Sequence, residues 1–145
     1  MCKISLIGAT RGGFAGRQYY YQLNISYTKT GLVLTVVDAG RKKQIEIPDQ
    51  LYQSIMKYIV PRLKSIPTSR NGYSSAYKGL ELAVDCNGFS WSNVGPSGCV
   101  RKGQLFQPTD AQQKTYTEVI TYLKTIGRYV NFDLSSGIPI LRSDF

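Results

Sequence analysis

The stretch that decides the fold is Tyr19–Asp38, YYYQLNISYT-KTG-LVLTVVD. In an extended chain Tyr19, Tyr21, Leu23, Ile25 and Tyr27 share one face, and Tyr20, Gln22, Asn24, Ser26 and Thr28 share the other. Period-two alternation in a segment rich in aromatic and β-branched residues predicts a strand with one face buried. Lys29-Thr30-Gly31 supplies a turn, and residues 32–38 form an apolar return strand. The nucleus is therefore an antiparallel hairpin.

Downstream, Ala39-Gly40 breaks the strand and KKQIEI (42–47) reads as a third. Pro48 then opens a helix over 49–66, with Leu51, Ile55, Tyr58, Ile59, Leu63 and Ile66 along one side and Asp49 as its expected cap. Pro61 lies inside that helix and is expected to kink or split it. Upstream, KISLIGA predicts an additional strand, and Gly8–Gly16 a loop in which Arg11 and Arg17 could meet phosphate. A dinucleotide-binding reading of that glycine-rich stretch requires a helix after it, which the period-two pattern opposes.

A second series follows. Residues 77–86 (YKGLELAVDC) alternate, Asn87-Gly88 is a strong hairpin signal, 89–94 return, and 103–107 form a short strand. Pro108-Thr109-Asp110 opens a second helix, 109–126, closed by Gly127. Residues 128–145 form a tail in which 129–132 could add a strand.

The two series match each other. At an offset of 60, residues 41–66 and 101–126 share eight identities in 26 positions: Arg41, Lys42, Gln44, Pro48, Gln53, Leu63, Lys64 and Ile66. Upstream the offset becomes 57, placing Leu23, Ile25 and Gly31 on Leu80, Leu82 and Gly88. The expected fold class is α+β: a tandem duplication of an antiparallel sheet followed by one helix, the two units packed about a pseudo-two-fold axis. The expected organisation is a single domain, 1–145, with repeat one at 1–67, repeat two at 68–127 and the tail at 128–145.

The chain of 145 residues carries 18 Lys plus Arg against 9 Asp plus Glu, a net charge of +9. Residues 1–45 hold seven basic groups and one acid, which is +6 of that +9. A concentrated positive field attracts polyanions. With no histidine there is no Ser-His-Asp triad, Cys-His dyad or imidazole metal site. The acids Asp38, Glu46, Glu81 and Asp85 show no paired-carboxylate spacing, so an enzyme is not expected. No cofactor and no metal are expected either. Cys2, Cys86 and Cys99 are odd in number and widely spaced, which does not read as a disulfide framework, and Cys86 and Cys99 read as packing cysteines. No signal peptide or spanning helix is expected, so the expected location is cytoplasmic, or nucleoid or nuclear with nucleic acid.

The segment AGRKKQIEIPDQLYQSI, preceded by a glycine-turned hairpin, resembles the Whirly-like single-stranded nucleic-acid-binding fold. That group includes the positive-cofactor-four coactivator, the plant Whirly proteins and the PUR proteins. Gly40-Arg41-Lys42 matches the coactivator's Gly-Arg-Lys-Gly strand, with Lys43 in place of the last glycine. The second copy, Val100-Arg101-Lys102-Gly103, keeps that glycine and loses the first. The tandem layout is similar to PUR proteins, although Ser26 and Thr28 stand where their first strand carries lysine and asparagine. Glu81 and Asp85 make the second unit's open face unfriendly to phosphate.

The resemblance implies non-enzymatic binding of single-stranded DNA or RNA on basic, tyrosine-bearing sheet surfaces. Arg41, Lys42, Lys43, Arg101 and Lys102, with Arg11 and Arg17, would hold phosphates. Tyr20 and Tyr77 would stack on bases, and Gln22 and Asn24 would contact bases or sugars. Trp91 is either a stacking platform or a core residue. The expected partner is single-stranded nucleic acid, with no membrane, and a homodimer or higher homo-oligomer is kept as an expectation. The alternative is a binding protein, sponge or inhibitor for a small anionic nucleotide or an acidic protein partner.

Overall fold

A computed structural model describes residues 2–12, 16–28, 31–38, 41–67, 81–86, 88–92 and 108–130. The order is β1 (Cys2–Gly12), β2 (Gly16–Thr28), β3 (Gly31–Asp38), β4 (Arg41–Glu46), α1 (Asp49–Lys64), β5 (Glu81–Cys86), β6 (Phe89–Ser92), α2 (Asp110–Ile126) and a short 3-10 helix, Gly127–Val130. The fold is α+β. One sheet holds six strands in the order β4-β3-β2-β1-β5-β6, each antiparallel to its neighbours.

Alternation fixes which face is buried. Ile4 and Leu6 of β1, Leu23 and Ile25 of β2, Leu34 and Val36 of β3, Leu82 and Val84 of β5 and Trp91 of β6 all belong to one core cluster. Their side is covered by both helices, through Tyr52, Ile55, Ile59 and Leu63 of α1 and Tyr116, Val119, Ile120, Leu123 and Ile126 of α2. Hydrophobic stripes at three- and four-residue spacing against period-two strands give a two-layer packing, the common way to bury one face of an antiparallel sheet.

The turns follow their residues. Thr28 pairs with Gly31, Asp38 with Arg41, and Cys86 with Phe89. Gly31 (φ 123°) and Gly88 (φ 84°) lie at positive φ, which disfavours any residue with a Cβ.

Several expectations change. Gly8–Gly16 is not a plain loop: β1 runs to Gly12, which pairs with Gly16. A bulge between Gly8 and Ala9 pairs those residues with Tyr21 and Tyr19, so Tyr20 is the extra residue and the alternation of 22–28 does not run unbroken through it. α1 is capped by Pro48, with no side-chain cap bond, and Asp49 is its first residue, where a carboxylate favours the helix dipole. α1 runs unbroken through Pro61. Thr109 caps α2 in a reciprocal box with Gln112: Thr109 Oγ1 accepts from Gln112 N (3.1 Å), and Gln112 Oε1 accepts from Thr109 N (2.9 Å). Gly127 closes α2 with right-handed backbone (φ −55°) and leads into the 3-10 turn, so residues 129 and 130 add no strand. The expected strand 103–107 lies outside the described residues.

Cys2 and Cys86 are not separate packing cysteines. They sit opposite each other on β1 and β5 and are joined by a disulfide. Residues 84 apart become neighbours because β1 takes the centre of the sheet. Among the described residues no helix is long and apolar enough to cross a membrane.

The strand equivalence also changes. β2 and β5 are both antiparallel to β1, so they run parallel to each other, with β3 and β6 on their outward sides. A two-fold axis normal to a sheet reverses strand direction, so it cannot carry β2 onto β5. The pairing such an axis permits here is β1 with β5 and β2 with β6.

Candidate nucleic-acid interface

The sheet face opposite the helices carries rows of residues aligned by register. One row reads Gln44, Thr35, Asn24, Ser5, Ala83, Ser92 across all six strands. Its neighbour reads Glu46, Val33, Ser26, Lys3, Asp85, Ser90. A third begins Lys42, Val37, Gln22, Ile7. Gln22 and Asn24 are thus on this face, half-buried, with Gln22 Nε2 donating to Asn24 Oδ1 at 3.4 Å. Thr35 Oγ1 donates to Gln44 Oε1 at 3.5 Å. Val33 lies on this face but is only 4% exposed.

The face is polar more than basic. Exposed Lys3 is opposite exposed Asp85, and exposed Lys42 shares β4 with Glu46. Among the side chains described on it there is no aromatic ring.

Among the described residues three consecutive cations stand on β4, one of the two outer strands of the described sheet. Arg41, Lys42 and Lys43 are all exposed. Period two divides them: Arg41 and Lys43 pair with Asp38 and Val36 on the helix side, and Lys42 pairs with Val37 on the open side. The three cations therefore straddle the rim. Arg11 and Arg17 are opposite each other in the β1–β2 register, and Tyr20 occupies the bulge. Tyr77, Arg101 and Lys102 lie outside the described residues.

Of the two readings of Trp91, stacking platform and core residue, the core residue is the one found, and Trp91 is not a site residue. It is 3% exposed, its indole Nε1–H donates to the Ile66 carbonyl at 2.8 Å, and its ring is 5.9 Å from that of Tyr116. A ring so enclosed has no face free for a base.

A cluster between the helices was not visible in the sequence. Tyr58 and Tyr122 stack at 4.2 Å with 18° between ring planes. The Arg62 guanidinium lies 3.7 Å over the Tyr58 ring, its Nη1 donates to the Tyr58 carbonyl at 3.0 Å, and its Nε is 3.7 Å from Glu118 Oε2. Burial, then Tyr129 and Tyr58, raise the Tyr122 pKa. A groove of about 470 Å³ opens beside this cluster, lined by Tyr58, Lys114, Thr117, Glu118, Thr121 and Tyr122. Its only sequence signal was tyrosine at the margin of each amphipathic stripe. Among the described residues no group of three His, Cys, Asp or Glu could hold a metal ion.

Comparison with protein-family models and with curated proteins finds no match for this chain.

Proposed function

We propose that the protein binds single-stranded DNA or RNA without catalysis, along the β4 rim and the adjoining polar face. The observation that carries this reading is three consecutive exposed cations, Arg41-Lys42-Lys43, on an outer strand whose open side continues into amides and hydroxyls. Cations at the rim suit a phosphate chain running along it. Gln44, Thr35, Asn24 and Ser5 offer donors and acceptors to sugars and base edges. The absence of an aromatic ring among the described open-face side chains favours a second reading, in which the same rim takes a small anionic nucleotide or an acidic protein.

The proposal includes a tandem duplication. Two observations support it. The β1–β5 seam, with four described strands on one side and two on the other, is antiparallel, as a two-fold axis requires. The helix contacts are also reciprocal at the offset of 60: that shift carries Tyr58 to position 118 and brings position 122 back to 62. The Tyr58–Tyr122 contact thus maps onto Glu118–Arg62, which is also a contact.

The test is a titration with a labelled single-stranded oligonucleotide at several salt concentrations, for the full chain and for Arg41→Ala/Lys42→Ala/Lys43→Ala. If each cation neutralises one phosphate, the log–log slope of affinity against salt flattens by about 2, at roughly 0.7 per single-strand phosphate. No binding at low salt, or equal slopes for both proteins, refutes the reading. Saturable mononucleotide binding with a flat salt response supports the second reading.

A further inference from the structure

We propose that the Cys2–Cys86 disulfide is a thiol-exchange site at which a small thiol bonds to Cys2 and Cys86 departs as a thiolate. One contact carries this. The Tyr52 hydroxyl lies 2.9 Å from Cys86 Sγ. A disulfide sulfur has no proton to give, so Tyr52 is the donor. The bond falls on Cys86 Sγ.

The bond to Cys86 sets the direction of exchange. A thiolate attacks one sulfur of a disulfide, and the other leaves with the electron pair; the better leaving group is the sulfur whose thiolate is stabilised. The Tyr52 O–H strengthens as a donor when its acceptor becomes charged, which favours Cys86 as the leaving group. Burial raises the Tyr52 pKa, with Tyr27 adding to the shift, so the donor proton is retained at neutral pH.

The chemistry balances with a low-molecular-mass thiol as reductant. Its thiolate bonds to Cys2 Sγ, the Cys2–Cys86 bond breaks, and the electron pair goes to Cys86 Sγ under the Tyr52 hydroxyl. A second thiolate attacks the carrier sulfur of the mixed disulfide, which releases the carrier disulfide and leaves Cys2 as a thiolate. Two thiols are oxidised and one protein disulfide is reduced.

Access comes through the strand end. Both cysteines are 5% exposed, so attack follows local opening. Cys2 is the first residue of β1, and its opening disturbs only the end of the ladder with β5. That ladder is the seam between β4-β3-β2-β1 and β5-β6, so exchange at Cys2 removes the one covalent clasp across the described seam.

The test uses the full chain purified without reductant. Alkylation of the denatured protein should find one free thiol of the three cysteines. Brief treatment with glutathione, acid trapping and peptide mapping should find the adduct on Cys2. Tyr52→Phe should slow reduction about three- to tenfold, the loss of one hydrogen bond to a developing thiolate, and spread the adduct over both cysteines. Three alkylatable thiols, an adduct on Cys86 in the unaltered protein, or an unchanged rate and adduct position in Tyr52→Phe would overturn the proposal. The adduct position in the unaltered chain decides the matter even if the variant folds poorly.

Discussion

Replacing Trp91 by phenylalanine separates a packing residue from a ligand platform. The substitution removes the indole N–H that meets the Ile66 carbonyl at 2.8 Å, just beyond the C-terminal end of α1. A buried carbonyl left without a partner costs about 1–3 kcal/mol. The smaller ring also leaves space beside Tyr116, which is fully buried, for roughly another 1 kcal/mol. The total is about 2–4 kcal/mol, which for a chain of this length lowers Tm by roughly 4–16 °C. Urea and thermal unfolding by circular dichroism measure this. Trp91 is the only tryptophan, so its fluorescence gives an independent check: acrylamide should quench the native protein weakly, and oligonucleotide should add no further protection. Under native conditions the variant should bind oligonucleotide as the unaltered protein does. A stability change under about 0.5 kcal/mol together with lost binding would refute the packing assignment, because that is the pattern of an exposed platform.

Three further outcomes follow from the same structure. Reducing the Cys2–Cys86 bond, which closes a loop of 84 residues, should lower stability by up to about 4.6 kcal/mol on the chain-entropy model, and equal urea midpoints with and without dithiothreitol would contradict this. Thr109→Ala should cost about 1 kcal/mol, and Gln112→Ala should add less in that background than alone because the capping bonds are reciprocal; additive losses in a double-mutant cycle would remove the box as a unit. Tyr52 and Tyr122 have folded-state pKa values raised above the ordinary 10.0 by burial first, so the folded form holds their protons longer than the unfolded form. Their contribution is then complete below pH 10 and lost as pH rises through the folded values, so stability should fall on the alkaline side; phenolate absorbance showing all tyrosines ionising together at pH 10 without unfolding would oppose it.

Much of the architecture was legible because its causes are local. Leu23 and Ile25 are two residues apart, and a strand sends both to one face whatever lies beside it. Ile59 and Leu63, like Val119 and Leu123, are four apart, and a helix stacks them on one stripe. Gly31 and Gly88 turn the chain where they stand. The candidate site was legible only in part. The cations Arg41, Lys42 and Lys43 are exposed as their charge requires, and the strand period sends Lys42 to the opposite side of the sheet from Arg41 and Lys43. Trp91 carried two meanings, and only the position of Ile66 and Tyr116 around it decides between them.

The sequence by itself determined the cores of β2, β3, β4 and the two helices, the faces that Leu23, Ile25, Ile59 and Val119 bury, and the run of cations at Arg41–Lys43, because each depends on spacings of a few residues and on side-chain chemistry carried everywhere. The tertiary structure alone decided that β1 takes the centre of the sheet, that Cys2 meets Cys86, that β2 and β5 run parallel and that Arg62 reaches Glu118. Those are choices among non-local pairings. Main-chain hydrogen bonding is nearly the same for any two strands, so the choice falls to the burial and fit of residues dozens of positions apart, which no local pattern records.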